Sequence, residues 1–349
     1  MRKSPNTSST GRVTICEIAD RLKVHQSTVS RALRKDPRIS TKMREKILQV
    51  AKDLDYKPDP MLSSLVAYRK TRIRQTYHAT LGWITNYPTR SGWREYERVA
   101  YHRGAIRRAT ELGYQIEEFW LGESGMTQQR MTQILTTRNI EGLFFVPQPR
   151  SRAHLSLDWS KFSAISFGRT LAQPVFHNVD ADHFRSFVVL MRQIKRLGYR
   201  RPGFATWPRV HEATDRLWTA AYLAYQPIPQ QPPIPVFMHE KWTKAEFRKW
   251  LDKHKPDVVI SHDESLLHWM EEFGMEIPGK IGFALAAKHA EFSPRCSGID
   301  ENSEFVAETA VNLLIDLTNR RETGIPQRTI STLIEGQWVD GSTLRRVNQ

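Results

Sequence analysis

The chain is poor in cysteine: among 349 residues only Cys16 and Cys296 occur. Two isolated cysteines exclude a disulfide framework and the paired spacing of a zinc site, so no metal is expected. Long apolar runs are also lacking; none approaches the about 18 residues that a membrane span needs. Nothing resembles a secretory signal. A cytoplasmic protein in a reducing compartment, with no membrane partner, is the expectation. Phosphate-cradling glycine-rich loops, nucleophile elbows and metal-spaced His/Cys groups are missing as well. Acids do stand beside histidines at Asp182-His183 and His262-Asp263, but neighbours in a strand face opposite sides. These absences argue against an enzyme, and no cofactor is expected.

Acidic residues are scarce in one region. Residues 1–78 hold 18 Lys+Arg against 7 Asp+Glu, a balance of +11. Residues 79–349 hold 34 against 30, a balance of +4. Most of the net +15 therefore sits at one end, as an appended nucleic-acid-binding module would place it. The length exceeds one typical domain.

Within that basic end the residues have helical period. Thr14 and Glu17 have capping-box spacing, and Ile15, Ile18, Ala19 and Leu22 form one stripe. Cys16 is assigned an apolar slot in the same helix. Lys23-Val24 makes a turn. A second helix from about Gln26 to Arg34 turns Val29, Ala32 and Leu33 inward, and Gln26, Ser27, Thr28, Ser30, Arg31 and Arg34 outward. Asp36-Pro37 breaks the pattern. Ser40 can cap a third helix carrying Met43, Ile47, Val50, Ala51 and Leu54. Three such helices make a helix-turn-helix core. Gln and Arg pair with base edges in the major groove, whereas Ser, Thr and Lys suit phosphates.

Further along, Asp59-Pro60 starts a helix of about two turns, to Tyr68. Alone it is too short to be stable. Its Met61, Leu62, Leu65 and Val66 form an apolar stripe whose natural partner is the same helix of a second subunit. The alternative is a plain linker helix packed on the next domain.

Residues Val13–Pro58 resemble the DNA-binding headpiece of LacI-family transcription regulators, through VTICEIA, STVSRAL, ISTKMREKI and LDYKP. The resemblance implies base reading by Gln26, Ser27 and Arg31. It implies phosphate contacts near Thr14, Thr28, Ser30, Arg34 and Ser40. His25 stands where the family usually has a capping Ser, which implies a weaker cap or a phosphate contact by His25. The hinge segment, with Leu65 as wedge and Leu62 beside it, would enter the minor groove.

From Ala79 the pattern becomes strands alternating with helices, the mark of parallel sheets covered on both faces. Around ten strands suit two sheets better than one. The Pro-rich Gln226–Pro235 stretch reads as a stiff surface loop. The order of elements resembles the family's periplasmic-binding-protein-like body, whose ligand cleft lies at the carboxyl ends of the strands. Thr85, Asn86 and Phe145 end strands and are effector candidates. Arg216, His262 and Asp263 are added by the resemblance, His262 replacing an Asn. The family's Asp-containing turn is absent; GFALAAKH stands there. Trp83 and Trp207, at strand positions, are candidates for stacking on a sugar.

The expected fold is α plus α/β: a three-helix helix-turn-helix headpiece with a hinge helix, then a body of two α/β subdomains. Residues 1–12 would be a flexible arm, 13–58 the headpiece, 59–78 the hinge and linker, and 79–349 the sensing and dimerisation body. The N-subdomain would comprise about 79–179 plus 299–326, and the C-subdomain about 180–298 plus 327–349. Crossings are expected near Val179, Gly298 and Pro326. The expected function is a homodimeric, sequence-specific repressor on a pseudo-palindromic duplex operator. A small-molecule effector, a sugar by resemblance, would control its affinity. The alternatives are a non-specific architectural DNA binder and a sugar-binding enzyme or transport component.

Overall fold

The computed structural model describes residues 14–33, 38–54, 56, 79–94, 96–150, 153–289, 291 and 293–347. The expected arm, the hinge helix with Leu62 and Leu65, and Arg34 lie outside these residues. The chain divides into two compact units, Met1–Thr76 and Tyr77–Gln349.

The first unit holds α1 (Ile15–Leu22), α2 (Gln26–Leu33) and α3 (Thr41–Asp53). The Thr14–Glu17 capping box is formed in both directions, so two otherwise orphaned amides at the start of α1 are satisfied. Lys23, left-handed at φ 52°, ends α1. Ser40 caps α3 by accepting the Met43 N–H. The core is small: Ile18, Ala19, Val29, Ala32, Ile47 and Ala51 are buried, with Ile15, Leu22, Leu33 and Met43 around them. Cys16 departs from its expected apolar slot and is exposed. One residue past Ile15 turns a helix by about 100°, which carries Cys16 off the apolar stripe. Its thiol donates instead to Gln26 Oε1 at 3.3 Å.

The second unit contains two main sheets. β1 (Ala79–Thr85), β2 (Tyr114–Trp120), β3 (Gly142–Phe145), β5 (Ser163–Phe167), β7 (His177–Ala181) and β12 (Ser331–Ile334) pair in the order β12-β7-β5-β3-β1-β2. Every pairing is parallel. The short β4 (Ala153–His154) and β6 (Leu171–Gln173) pair beside it. β8 (Pro202–Ala205), β9 (Val258–Ser261), β10 (Gly282–Lys288), β11 (Ser297–Asp300) and β13 (Gln337–Val339) form the second sheet, in the order β13-β11-β10-β9-β8. β13 runs antiparallel. The inner strands β3, β5 and β9 are buried along their whole length, as parallel strands covered on both faces must be. The covering helices are α4 (Tyr96–Glu111), α5 (Gln128–Thr137), α6 (His183–Arg196), α7 (Pro208–Ala213), α8 (Leu217–Ala224), α9 (Lys244–His254), α10 (Ser265–Glu272) and α11 (Ser303–Arg320).

The chain therefore passes between sheets after Ala181, after Asp300 and after Ile334. The first two crossings fall two residues beyond those read from sequence. The third is displaced further, because β12 still pairs with β7 from Ser331↔Asn178 to Ile334↔Ala181. TLIEGQW is not one strand; Glu335-Gly336 divides it between the sheets. A Cβ on Gly336 would lie 2.5 Å from Ile299 Cγ2, so the crossing passes where a side chain would clash. The helix expected over Ala213–Ala224 is broken by Asp215 and Arg216, both left-handed at φ 50° and 62°.

Trp83, Tyr101, Phe144 and Phe167 pack under α11 in the first lobe. Phe187, Phe204, Tyr222 and Ile260 fill the second. Cys296 is buried, and burial beside Glu264 pushes its thiol up to about 12. α4 crosses α11 at Gly104, where a Cβ would sit 2.4 Å from the Glu304 carbonyl oxygen. Gly104→Ala should destabilise the first lobe by about 1–3 kcal/mol, seen as a lower denaturation midpoint. An unchanged midpoint would show that this contact yields without cost.

Candidate functional site

α2 presents its polar face at the surface: Gln26, Ser27 and Arg31 are exposed, as are His25, Thr14 and Ser40, and Thr28 is half-buried. The Ser30 side chain lies outside what the structure describes. His25 Nδ1 accepts the Ser27 backbone N–H at 3.3 Å and lies 2.8 Å from Ser27 Oγ. The expected weak cap is thus made by the imidazole itself. Thr14 and Ser40 have their side-chain oxygens in caps, at helix starts whose exposed amides and dipole favour anions. Such a face offers amide, hydroxyl and guanidinium groups to a groove and helix starts to a phosphate backbone.

In the body, the carboxyl ends of β8 and β9 carry an aromatic group. The His262 ring lies 4.9 Å from Trp207 and 5.6 Å from Trp242, and the two indoles are 5.3 Å apart. The Arg209 guanidinium sits 4.4 Å over Trp207. His262 Nδ1 is 3.4 Å from Thr206 Oγ1, whereas His262 Nε2 and Trp242 Nε1 have no hydrogen-bond partner. Burial holds the His262 pKa down to about 4, against the pull of Asp263 and with help from Arg209. Its neutral ring is therefore the working form near neutrality.

The other effector candidates are not gathered there. Thr85 is buried and donates to the Phe119 carbonyl at 3.5 Å. Phe145 is fully buried and stacks on Phe176 at 5.4 Å, so its ring belongs to the core. Asn86 is half-buried beyond β1. Arg216 is exposed and held by Glu212 at 2.9 Å. Asp263 accepts the Ser265 N–H at 2.9 Å and so starts α10. Trp83 is wholly buried; of the two named tryptophans only Trp207 reaches the aromatic group, and it precedes α7 rather than lying in a strand.

Charged residues cluster where the chain changes lobe. His183 Nδ1 is 2.9 Å from Glu301 Oε1, tying the first crossing to the second. Asp180 lies 3.6 Å from His183 Nε2 and 3.4 Å from Arg169. Arg169 also reaches Asp215 of the second lobe at 3.8 Å. A cavity of about 360 Å³ lies between α4, the start of α11 and Lys288–Glu291. None of the sequence-named candidates lines it, and its Arg103 and Arg107 are already paired with Glu304 and Glu308.

Residues 14–59 match the model for bacterial regulatory proteins of the lacI family, and residues 191–338 match the periplasmic binding protein-like domain. The chain belongs to the LacI family. Members of this family are transcription regulators, not enzymes. They combine a helix-turn-helix DNA-binding domain with an effector-binding body. The fold agrees with several solved structures. The Lac repressor bound to ONPG in its repressed state matches at 17% identity and TM-score 0.57, over 95% of this chain and 100% of that one. A CelR–cellobiose complex matches at 18% and 0.55, over 95% and 100%. A LacI-family regulator from Rhizobium etli matches at 16% and 0.62, over 76% and 99%. No curated relative matches by sequence. Among the described residues no helix is long and apolar enough to cross a membrane.

For this LacI-family chain, sequence reasoning missed Trp242, Arg209 and the Arg169–Asp180–His183–Glu301 series. Trp242 follows the Pro-rich loop without periodicity to mark it. The charged series is assembled from three separate segments of the chain. The aromatic group generates a pH test. Above pH 6.5 His262 is neutral folded or unfolded. As pH falls from 6.5 towards 4, the unfolded chain gains a proton that the folded site resists. Stability present above pH 6.5 is lost across that window, on the order of 3 kcal/mol. His262→Gln should flatten the dependence of unfolding free energy on pH there; an identical slope would remove the assignment.

Proposed function

We propose that this regulator is a sequence-specific repressor. It acts in the cytoplasm as a homodimer on a pseudo-palindromic operator, with a small-molecule effector, a sugar, setting its affinity. The observation that carries this reading is the exposed polar face of α2, fixed on a three-helix core within the family-matched segment. Gln26, Ser27 and Arg31 read base edges in the major groove. Thr14, His25, Thr28, Ser30, Arg34 and Ser40 contact phosphates. In His25 the cap uses Nδ1 and leaves Nε2 for that contact. Residues 13–58 form the headpiece, and 59–78 the hinge, whose Leu65 and Leu62 enter the minor groove between paired half-sites. One structural neighbour is a Lac repressor dimer bound to operator, which supports the dimeric arrangement.

The effector reading shifts towards the second lobe. His262, Trp207 and Trp242 offer ring faces, and Trp242 Nε1 and His262 Nε2 are unpartnered, at strand carboxyl ends, where open α/β folds bind ligands. Tryptophan faces suit the apolar side of a sugar ring, and one structural neighbour is a regulator in complex with cellobiose. Arg216 and Asp263 remain effector candidates once their present partners are displaced; Thr85, Asn86 and Phe145 shape the first-lobe side.

Selection from random duplex oligonucleotides should return a two-fold-related motif. Arg31→Ala should weaken binding to that motif by roughly 1–3 kcal/mol and blur one base position. Equal weakening on every sequence would remove the base-reading role, and no preferred motif at all would leave an architectural binder. In a thermal-shift screen of sugars, a ligand at 100 times its Kd should add about 2.7 kcal/mol. Trp242→Ala should abolish that gain, and a full gain in the variant would move the effector elsewhere.

A further inference from the structure

The contacts at the start of α2 restrict what Ser27 can offer to a base. A serine hydroxyl has one hydrogen to donate and two lone pairs to accept with, and a neutral imidazole has one nitrogen of each kind. Which His25 nitrogen carries the proton follows from a group that has no choice. The Ser27 backbone N–H only donates, and it points at His25 Nδ1 at 3.3 Å. Nδ1 is therefore bare and the proton sits on Nε2. Ser27 Oγ, 2.8 Å from the same Nδ1, must then be the donor in that contact. Its single hydrogen is committed, and on the exposed Ser27 the oxygen keeps acceptor capacity alone.

We propose that His25 is a specificity-determining residue: by taking the Ser27 hydroxyl hydrogen it makes Ser27 an acceptor-only reader, selecting a base with an exposed amino group. In the major groove those bases are adenine, through N6, and cytosine, through N4. Guanine and thymine present only acceptors on their own edges there. An uncommitted serine reads either kind. The inference rests on Ser27 being a base-contacting residue and goes beyond that reading by naming what it reads and why.

The full-length protein is tested in competition binding on its selected operator, with each half-site position changed to all four bases. Ser27→Ala identifies the position that Ser27 reads, by flattening it. There the wild type should favour adenine or cytosine over guanine or thymine on the contacted strand, on the order of tenfold. His25→Ala releases the hydroxyl hydrogen, so guanine and thymine should then bind nearly as well. His25→Asn, whose amide oxygen can both cap α2 and take that hydrogen, should restore the preference. Helix content by circular dichroism separates loss of the cap from loss of specificity. A wild-type preference for guanine or thymine overturns the proposal, as does a wild-type pattern in His25→Ala. A flattened pattern in His25→Asn does the same. If Ser27→Ala flattens no position, Ser27 is not a base reader and the inference falls with that assignment.

Discussion

An eight-residue helix does not stand alone in water, because fixing its first turn costs more than two turns of hydrogen bonds return. α2 is such a helix, and it carries Gln26, Ser27 and Arg31, the residues proposed to read bases. It persists because Val29 and Ala32 are buried against Ile18, Ala19, Ile47 and Ala51. That core is too small to tolerate a polar intruder, so the polar side chains are forced to the opposite face. Recognition and stability thus divide a single helix between two sides. The same economy explains the caps. Thr14, His25 and Ser40 each satisfy an amide that an eight- to thirteen-residue helix cannot spare, and the amides left open at those helix starts remain available to an anion.

The body solves a different problem. Two sheets share one chain through three crossings, and buried charges sit at two of them. Charges in a low-dielectric interior are tolerated only when paired. Asp180 is paired by Arg169 and Glu301 is hydrogen-bonded to His183, which also lies beside Asp180, so groups from both crossings take part. Removing one partner would leave another unbalanced, so the crossings are held to one relative arrangement more firmly than loops would be. The contact that extends to the second lobe is weaker. Asp215 is mostly exposed and 3.8 Å from Arg169, a geometry worth about 0–1 kcal/mol. A firm pivot with a weak bridge across it suits lobes whose closure a ligand can bias, because only differential affinity for two states shifts their balance.

How far the residues alone revealed this architecture depended on where the signal lay. In α1 and α3 the apolar stripe, the cap and the stop occur within a few turns, and both helices form where the periodicity puts them. The buried strands were legible as apolar runs. β7 and β11 were not, because HNVDA and SGID mix polar residues into strands that gain their burial from neighbours. The third crossing was misplaced for a related reason: nothing in TLIEGQW marks which half pairs with β7 and which with β11. Phe145 read as a cleft residue because it ends a strand, yet an aromatic at that position can turn either way, and here it meets Phe176 and Trp159. Cys16 was misjudged by a single helical step.

The departures from the family pattern carry a common physical sense. In the headpiece an imidazole stands in for the capping serine and still supplies the acceptor the helix start requires. In the second lobe an imidazole stands in for an amide at 262, and its depressed pKa keeps it uncharged, so that ring adds no fixed charge to its surface. What changes is reach and shape. A ring is flat, has one donor and one acceptor on opposite edges, and is oriented by whatever holds either nitrogen. Thr206 and Ser27 lie beside Nδ1 in the two cases. A held ring can dictate the hydrogen-bonding sense of its neighbour, which a freely rotating hydroxyl cannot. What each surface can offer then rests less on which polar residues are present than on which of their hydrogens are already spoken for.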